Sequence, residues 1–158
     1  MKKTVCSRVL ALAMALCLLI GAAAFPASAE GLSSYYSSAE FESQYTYDGN
    51  DLGATWTKDA TSFRLWAPTA TAVKVNLYES GTAGTDDLIE SIDMTADVNG
   101  TWVAAKEGDL NGTYYTYAVH VDGEINEAVD PYARTTGVNG HRGMVIDLDS
   151  TDPEGWAD

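Results

Sequence analysis

Three aspartates near the end of the chain are the first residues whose chemistry and spacing suggest a site. Asp147, Asp149 and Asp152 lie close together and could offer carboxylate oxygens to a calcium ion. Their spacing does not match an EF-hand loop, because neither the central glycine nor the closing glutamate is in place. A hard cation needs several oxygens that converge on one point. We therefore predict no metal site and no cofactor.

The two histidines give no sign of a catalytic pair, because His120 and His141 are far apart in the sequence. No nucleophile, metal or phosphate motif is present, which argues against an unrelated class of enzyme. Asn99-Gly100-Thr101 and Asn111-Gly112-Thr113 match glycosylation sequons. Asn-Gly pairs also favour tight hairpin turns, and turns explain both pairs more simply.

The first 29 residues have the three parts of a secretory signal peptide. Basic residues at the start precede an apolar run over residues 9–20, and Ala27-Ser28-Ala29 ends the segment. The apolar run is too short for a membrane anchor, which needs about 20 apolar residues. Met14-Ala15-Leu16 before Cys17 is a poor lipoprotein signal. We predict cleavage after Ala29 and a secreted, extracellular protein.

Cleavage would change the composition of the chain. Both cysteines and three of the nine basic residues would leave, so the mature chain could form no disulfide. Six basic residues would then face 23 acidic ones, a formal charge of −17. This balance argues against nucleic acid and anionic membrane surfaces as partners. The remaining 129 residues are enough for one domain with its own core.

Short alternating runs separated by turn residues dominate the mature chain, and they are typical of an antiparallel sandwich. Residues 30–45 have no clear period, and we interpret them as a flexible tether. Residues 46–148 are predicted to form an all-β, immunoglobulin-like β-sandwich, and residues 149–158 a linker toward a missing domain. The predicted strands are 62–66, 73–78, 88–94, 101–104, 113–121, 124–129 and 144–148.

Five segments carry a family likeness: Tyr47–Ala54, Phe63–Ala70, Gly112–Tyr117, Val129–Arg134 and Gly137–Leu148. The second reads FRLWAPTA, the fourth VDPYAR and the last GVNGHRGMVIDL. In this order and spacing they resemble the N-terminal domain of type I pullulanases, which belong to glycoside hydrolase family 13. The domain is the isoamylase-type module of carbohydrate-binding module family 48. The likeness covers about residues 41–156.

The resemblance implies a parent enzyme that hydrolyses α-1,6 branch links in pullulan, amylopectin or limit dextrins. The family's catalytic carboxylates lie on a (β/α)8 barrel of about 250 residues, which this chain is too short to contain. We therefore assign no catalytic residue and expect the chain alone to be inactive. We interpret it as a fragment of a debranching enzyme that ends before the barrel.

Aromatic side chains are the natural contacts for a glucan, because a flat ring offers an apolar face to the sugar. We predict that Trp102, Tyr78 and Tyr114 occupy outward or rim positions and bind carbohydrate; the alternative is that they pack in the core or against the barrel. For Trp66 and Trp156 we favour packing. Glycogen-binding members carry a tryptophan after the Asp-Gly hairpin, whereas Glu124 and Ile125 follow Gly123 here.

Three hypotheses remain for the function of the domain. It could be a scaffold that docks on the catalytic barrel and extends its substrate groove. It could instead be a true starch- or glycogen-binding module. The third alternative is a non-catalytic extracellular interaction module of immunoglobulin type.

Overall fold

The computed structural model describes residues 29–84 and 86–156, with side chains described from residue 33. The predicted signal peptide therefore lies outside the described residues, except for Ala29 at its end. The chain divides into two units, one that ends at Glu42 and one that begins at Ser43. No helix among the described residues is long and apolar enough to cross a membrane.

Two short helices occupy the segment that was predicted to be an irregular tether: α1, Ala29–Tyr36, and α2, Ala39–Tyr45. The hydroxyl of Ser38 accepts a hydrogen bond of 3.1 Å from the amide of Phe41 and so caps the start of α2. The ring of Phe41 packs edge-on against Tyr35 and Tyr36. An aromatic contact and a cap thus stabilise helices that each have only about two turns.

Within residues 29–84 and 86–156, ten strands form two antiparallel sheets, which confirms the predicted all-β sandwich. Sheet A has the order β1-β2-β6-β5, and sheet B the order β4-β3-β7-β10-β9, with β8 also paired to β7. The strands are β1 Gly53–Trp56, β2 Ala60–Trp66, β3 Ala72–Tyr78, β4 Leu88–Asp93, β5 Thr95–Ala96, β6 Thr101–Glu107, β7 Tyr114–Val121, β8 Glu124–Ala128, β9 Thr135–Thr136 and β10 Gly143–Met144.

The core lies between the two sheets and follows the alternation of β2, β3 and β7. Strand β2 contributes Phe63 and Leu65 from sheet A, and sheet B contributes residues from β3 and β7. The rings of Phe63 and Tyr115 meet edge-on across the sheets, with centroids 5.3 Å apart. The buried core residues are Phe63, Leu65, Val73, Val75, Leu77, Met94, Tyr115, Tyr117 and Val145.

The strand predicted over residues 144–148 is wrong in length, because the observed strand β10 covers only Gly143–Met144. Strand pairing ends at Met144, although Val145 still exchanges backbone hydrogen bonds with Gly112 and Thr113. The side-chain oxygen of Asn111 then accepts the amide of Asp147 at 2.9 Å. A side-chain acceptor thus replaces the backbone partner that a continued strand would need. The short strands β1, β5 and β9 were not predicted.

Candidate functional site

Trp102 does not occupy the outward position that was predicted for it. It lies on β6 directly opposite Leu65 of β2, so the two side chains share the core face of sheet A. The indole is partly buried against the core, and its N–H donates a 3.1 Å hydrogen bond to the carbonyl of Ala67. Its inward direction agrees with the packing alternative that the sequence left open, and its partial burial with a rim position.

Tyr78 lies on the outer face of sheet B, but its predicted exposure is wrong. Only 8% of the residue is exposed. The guanidinium carbon of Arg142 lies 3.6 Å from the centre of the Tyr78 ring and covers that face. Arg142 is held in place by Asp87 at 2.9 Å and by the carbonyl of Ser80 at 2.6 Å. Arg142 thus occupies one face of the Tyr78 ring.

Glu127 completes the polar network around Tyr78. One carboxylate oxygen, Oε1, accepts hydrogen bonds from the Tyr78 hydroxyl, the Thr116 hydroxyl and the Asn76 amide. Burial alone would raise the pKa of Glu127, but these three donors outweigh it and the pKa is lowered. Burial and the hydrogen bond to Glu127 raise the pKa of Tyr78. The network fixes this ring as part of the scaffold.

Tyr114 is the cross-strand neighbour of Tyr78 and is partly exposed. Its ring lies directly under Gly81, where an added Cβ would come within 2.7 Å of it. Gly81 in turn accepts the amide of Val138 at 3.0 Å. The structure thus brings Tyr78 and Tyr114 together on sheet B and places Trp102 on the other sheet. Carbohydrate binding by these three residues stays a prediction.

A different group of aromatic residues lines an open cavity of about 590 Å³, which we call the aromatic cavity. Trp66 is 42% exposed and Tyr132 54% exposed, so both rings remain accessible. Trp66 is therefore not buried in the core of this domain, and its packing against a separate catalytic domain stays a prediction. The lining residues are Tyr45, Thr46, Tyr47, Leu52, Leu65, Trp66, Pro131 and Tyr132.

Two backbone carbonyls fix the orientation of Trp66. It is the last residue of β2 and faces away from Phe63 and Leu65, as the alternation predicts. Its indole N–H donates to the carbonyl of Tyr45 at 2.8 Å and to that of Asn99 at 3.2 Å. Asn99 has a positive φ of 54°, which Asn tolerates better than most residues. The Asn-Gly turn between β5 and β6 thus presents an acceptor to the indole.

Gly100 has a steric reason to be glycine in the same turn. Its φ is +75°, and an added Cβ would lie 2.6 Å from the Pro68 side chain. The backbone can therefore approach Pro68 only because no side chain intervenes. The amide of Ala67 donates to the carbonyl of Gly100 at 2.9 Å, which ties the end of β2 to the turn.

Tyr132, on the other side of the cavity, is positioned by the buried Asp130. One carboxylate oxygen of Asp130 accepts the Tyr132 amide at 2.8 Å, and the other accepts the Tyr115 hydroxyl at 2.7 Å. Burial raises the pKa of Asp130 and outweighs these hydrogen bonds. The same burial, together with the charge of Asp130, raises the pKa of Tyr115. A buried carboxylate therefore anchors the backbone from which the exposed Tyr132 ring projects.

Gly53 lets the chain at Tyr132 approach β1. Its φ is +98°, and an added Cβ would lie 3.1 Å from both the Cβ and the carbonyl oxygen of Tyr132. The sequence signals for this site were the VDPYAR and YDGNDLGA segments. Neither segment identified Tyr132 as exposed, because its position depends on the distant contacts of Asp130.

Tyr47 forms a third wall of the cavity and is supported by β2. Its hydroxyl donates to Asp51, and the guanidinium of Arg64 lies 5.2 Å from its ring centre. Arg64 also pairs with Asp51 at 2.9 Å and with Asp97 at 2.7 Å. The hydrogen bond from Tyr47 lowers the pKa of Asp51, and the same bond raises the pKa of Tyr47.

The lining of the aromatic cavity consists mainly of aromatic, apolar and hydroxyl-bearing side chains. Within residues 29–84 and 86–156, no three His, Cys, Asp or Glu side chains converge on a possible metal position. Aromatic faces with a few polar groups suit binding rather than bond cleavage.

Comparison with known proteins gives a consistent set of relatives. The chain is 36% identical to a pullulanase of Bacillus subtilis over 108 residues, which are 68% of this chain and 14% of that protein. It is 38% identical to the chloroplastic pullulanase 1 of Arabidopsis thaliana over 120 residues, 71% of this chain and 12% of that protein. The chain thus spans only a small part of the curated relatives that it matches.

Solved pullulanase structures contain the same fold. The pullulanase of Bacillus acidopullulyticus matches with a TM-score of 0.67 and 50% identity, over 72% of this chain and 14% of that one. The pullulanase of Paenibacillus barengoltzii, solved with maltohexaose and α-cyclodextrin, matches with a TM-score of 0.71 and 48% identity, over 76% of this chain and 18% of that one. Residues 51–133 match carbohydrate-binding module 48, the isoamylase N-terminal domain. Because this match covers more than half of the chain, the chain belongs to the carbohydrate-binding module 48 family.

Proposed function

We propose that the chain is the accessory domain of a pullulanase-type enzyme that hydrolyses α-1,6 bonds in starch-like glucans. The observation that carries this proposal is the family match over residues 51–133 together with the pullulanase relatives. The domain would supply α-glucan contacts and a docking scaffold, and a separate catalytic domain would supply the chemistry.

The roles of the carboxylates near the cavities support this division of labour. Glycoside hydrolysis needs two carboxyl groups on either side of the scissile bond, in most families about 5–10 Å apart. The carboxylates with a shifted pKa that lie nearest the cavities serve as hydrogen-bond anchors: Asp51 for Tyr47, Asp130 for Tyr132, and Glu127 for Tyr78. Each is already held by neighbouring side chains or amides.

To test whether the chain belongs to a larger enzyme, the gene is sequenced beyond codon 158, and the protein encoded by the full reading frame is expressed and assayed. We expect a catalytic barrel and the release of reducing ends from pullulan. A stop codon at that point, with no partner hydrolase, would contradict the proposal and leave a module that stands alone.

We further propose that the protein is secreted, with Glu30 as the first residue of the mature chain. The arrangement of basic, apolar and small residues over positions 1–29 supports this. Expression in a secreting host, followed by N-terminal sequencing of protein from the medium, should give Glu-Gly-Leu-Ser. Retention of the intact N-terminus in the cell would contradict it.

A further inference from the structure

We propose that the aromatic cavity is a binding site for a short linear run of α-1,4-linked glucose units, with Trp66 and Tyr132 as its stacking surfaces. This inference rests on the proposed function in α-glucan degradation and adds the residues that would contact the glucan. The site differs from the one predicted at Trp102, Tyr78 and Tyr114, whose rings are wholly or partly covered.

The cavity suits an uncharged ligand. All eight of its lining residues are uncharged, although the chain carries 23 acidic and nine basic residues. A site for a phosphate or a nucleotide would place cations at the ligand. A site for a basic peptide would place some of the many carboxylates there. A neutral polyol is the class of ligand that the lining fits.

The Trp66 indole and the backbone that carries the Tyr132 ring are held in place before any ligand binds. The indole of Trp66 is held by two carbonyls, and the backbone at Tyr132 by Asp130 and by the close approach of Gly53. A ring that is already ordered loses little conformational entropy when a sugar stacks on it. This arrangement is expected of a binding surface, because the indole and the Tyr132 backbone are anchored while both residues stay exposed.

The lining also has the mixed character that a sugar requires. Tyr45, Tyr47 and Thr46 bring hydroxyl groups close to the apolar surfaces of Leu52 and Pro131. A glucose unit has apolar C–H faces and a rim of hydroxyls, so both kinds of surface can be used at once. The volume of about 590 Å³ falls within the range of roughly 300–1,000 Å³ that is usual for small-molecule sites.

A second cavity adjoins the first and bears on the length of the ligand. It has a volume of about 280 Å³, shares Tyr47, Leu52 and Tyr132 with the aromatic cavity, and adds Gly49, Asn50 and Arg134. The two cavities therefore lie next to each other on the surface. Two adjacent cavities offer more than one position for a sugar unit, which is why we propose a short run of units as the ligand.

The test is titration of the purified chain with maltohexaose, followed by tryptophan fluorescence and by calorimetry. We expect Trp66→Ala and Tyr132→Ala each to weaken binding about three- to tenfold, since an aromatic contact contributes roughly 0.5–1.5 kcal/mol. Trp156→Ala is the matched control: it removes an indole that is 73% exposed and lies outside both cavities. Tyr132→Phe keeps the ring and should keep the affinity within about twofold.

Each outcome decides the proposal. Loss of affinity in the two cavity variants, with Trp156→Ala unchanged, supports it. Three results would overturn it: equal affinity in all variants, equal affinity for cellohexaose, or no binding of maltohexaose by the parent chain. Any of them would favour the alternative that the aromatic cavity is a surface that contacts another protein domain. If Trp66→Ala does not fold, as judged by its urea midpoint, Tyr132→Ala carries the test. The reading-frame experiment remains separate, so the enzymatic context can stand when the site fails.

Discussion

Aromatic residues on the two outer faces of the sandwich have different environments. On sheet B, Tyr78 has its ring covered by Arg142 and its hydroxyl held by Glu127. Beside sheet A, Trp66 has its N–H bound by two backbone carbonyls, and the residue stays 42% exposed. Polar contacts to the edge of a ring orient it, whereas a cation over one face occupies that face. The position of a residue on an outward strand face therefore does not by itself make it a binding residue.

Among the variants that test this comparison, we expect Arg142→Ala to have the largest effect on the free energy of unfolding. The Arg142 and Asp87 side chains are only 5% and 12% exposed, so the variant leaves a buried carboxylate without its cation. Breaking a buried pair typically costs about 3–5 kcal/mol. Urea denaturation should show a loss of this size in the free energy of unfolding.

A surface ion pair provides the control for that measurement. Lys74 and Asp93 pair at 2.8 Å, but their side chains are 39% and 81% exposed. Lys74→Ala should cost no more than about 0.5 kcal/mol, since solvent screens exposed pairs. An equal effect of the two variants would show that the contact of Arg142 with Tyr78 is not a buried scaffold element.

A smaller effect is expected from Asp130→Ala, which links the core to the aromatic cavity. The variant removes the acceptor of the Tyr115 hydroxyl and of the Tyr132 amide. A buried donor left without a partner costs about 1–3 kcal/mol, so the unfolding free energy should fall by that amount. Maltohexaose affinity should fall as well, because Tyr132 loses its anchor.

Asp130→Asn sharpens this test, because its side chain can still accept one of the two hydrogen bonds. It should therefore lose less stability than Asp130→Ala. If a folded Asp130→Ala variant keeps its affinity for maltohexaose, Asp130 does not position Tyr132 for binding.

The smallest effect concerns the pH dependence of stability, where the two regions should have opposite signs. The pKa of Glu127 is lowered by folding, so its stabilisation is present above the unfolded pKa and is lost as pH falls through the folded pKa. The pKa of Asp130 is raised, so its contribution favours the folded state at low pH and is lost as pH rises through the folded pKa.

Unfolding free energies measured from about pH 3 to pH 6 would test these signs, since each group can change the slope by at most about 1.4 kcal/mol per pH unit. Glu127→Gln should make the loss of stability in acid shallower. Asp130→Asn should make it steeper. The same direction of change in both variants would contradict the assignment.

Much of the fold could be predicted because alternation reports burial directly. Val73, Val75 and Leu77 of β3, and Tyr115 and Tyr117 of β7, face the core as their spacing indicates. The Asp122-Gly123 hairpin was also predicted, and both residues have the positive φ that such a turn needs. The strand predicted over 144–148 failed because the side chain of Asn111, distant in sequence, takes the amide of Asp147.

The candidate site could be predicted less well, because exposure depends on what covers a residue. Alternation correctly placed Tyr78 on the outer face of sheet B, but two loops carry Arg142 and Asp87 over it. Trp102 has the strand position of a core residue only because β6 pairs with β2 in a register that sets it opposite Leu65. Pairing register is a tertiary property that a single strand does not display.

The sequence by itself determined the all-β class, the alternating core faces, the Asp122-Gly123 hairpin and the membership of carbohydrate-binding module 48, whereas Asn111-Gly112, also interpreted as a hairpin turn, connects strands of different sheets. These follow from local spacing, backbone preference and motif order, which need no distant contact. Only the tertiary structure decided that Trp66 and Tyr132 line one cavity while Tyr78 is covered. The physical reason is that Arg142 and the Asn99 carbonyl act on residues far from them in the chain, and that Asp130, which holds Tyr132, is itself bound by Tyr115 on β7.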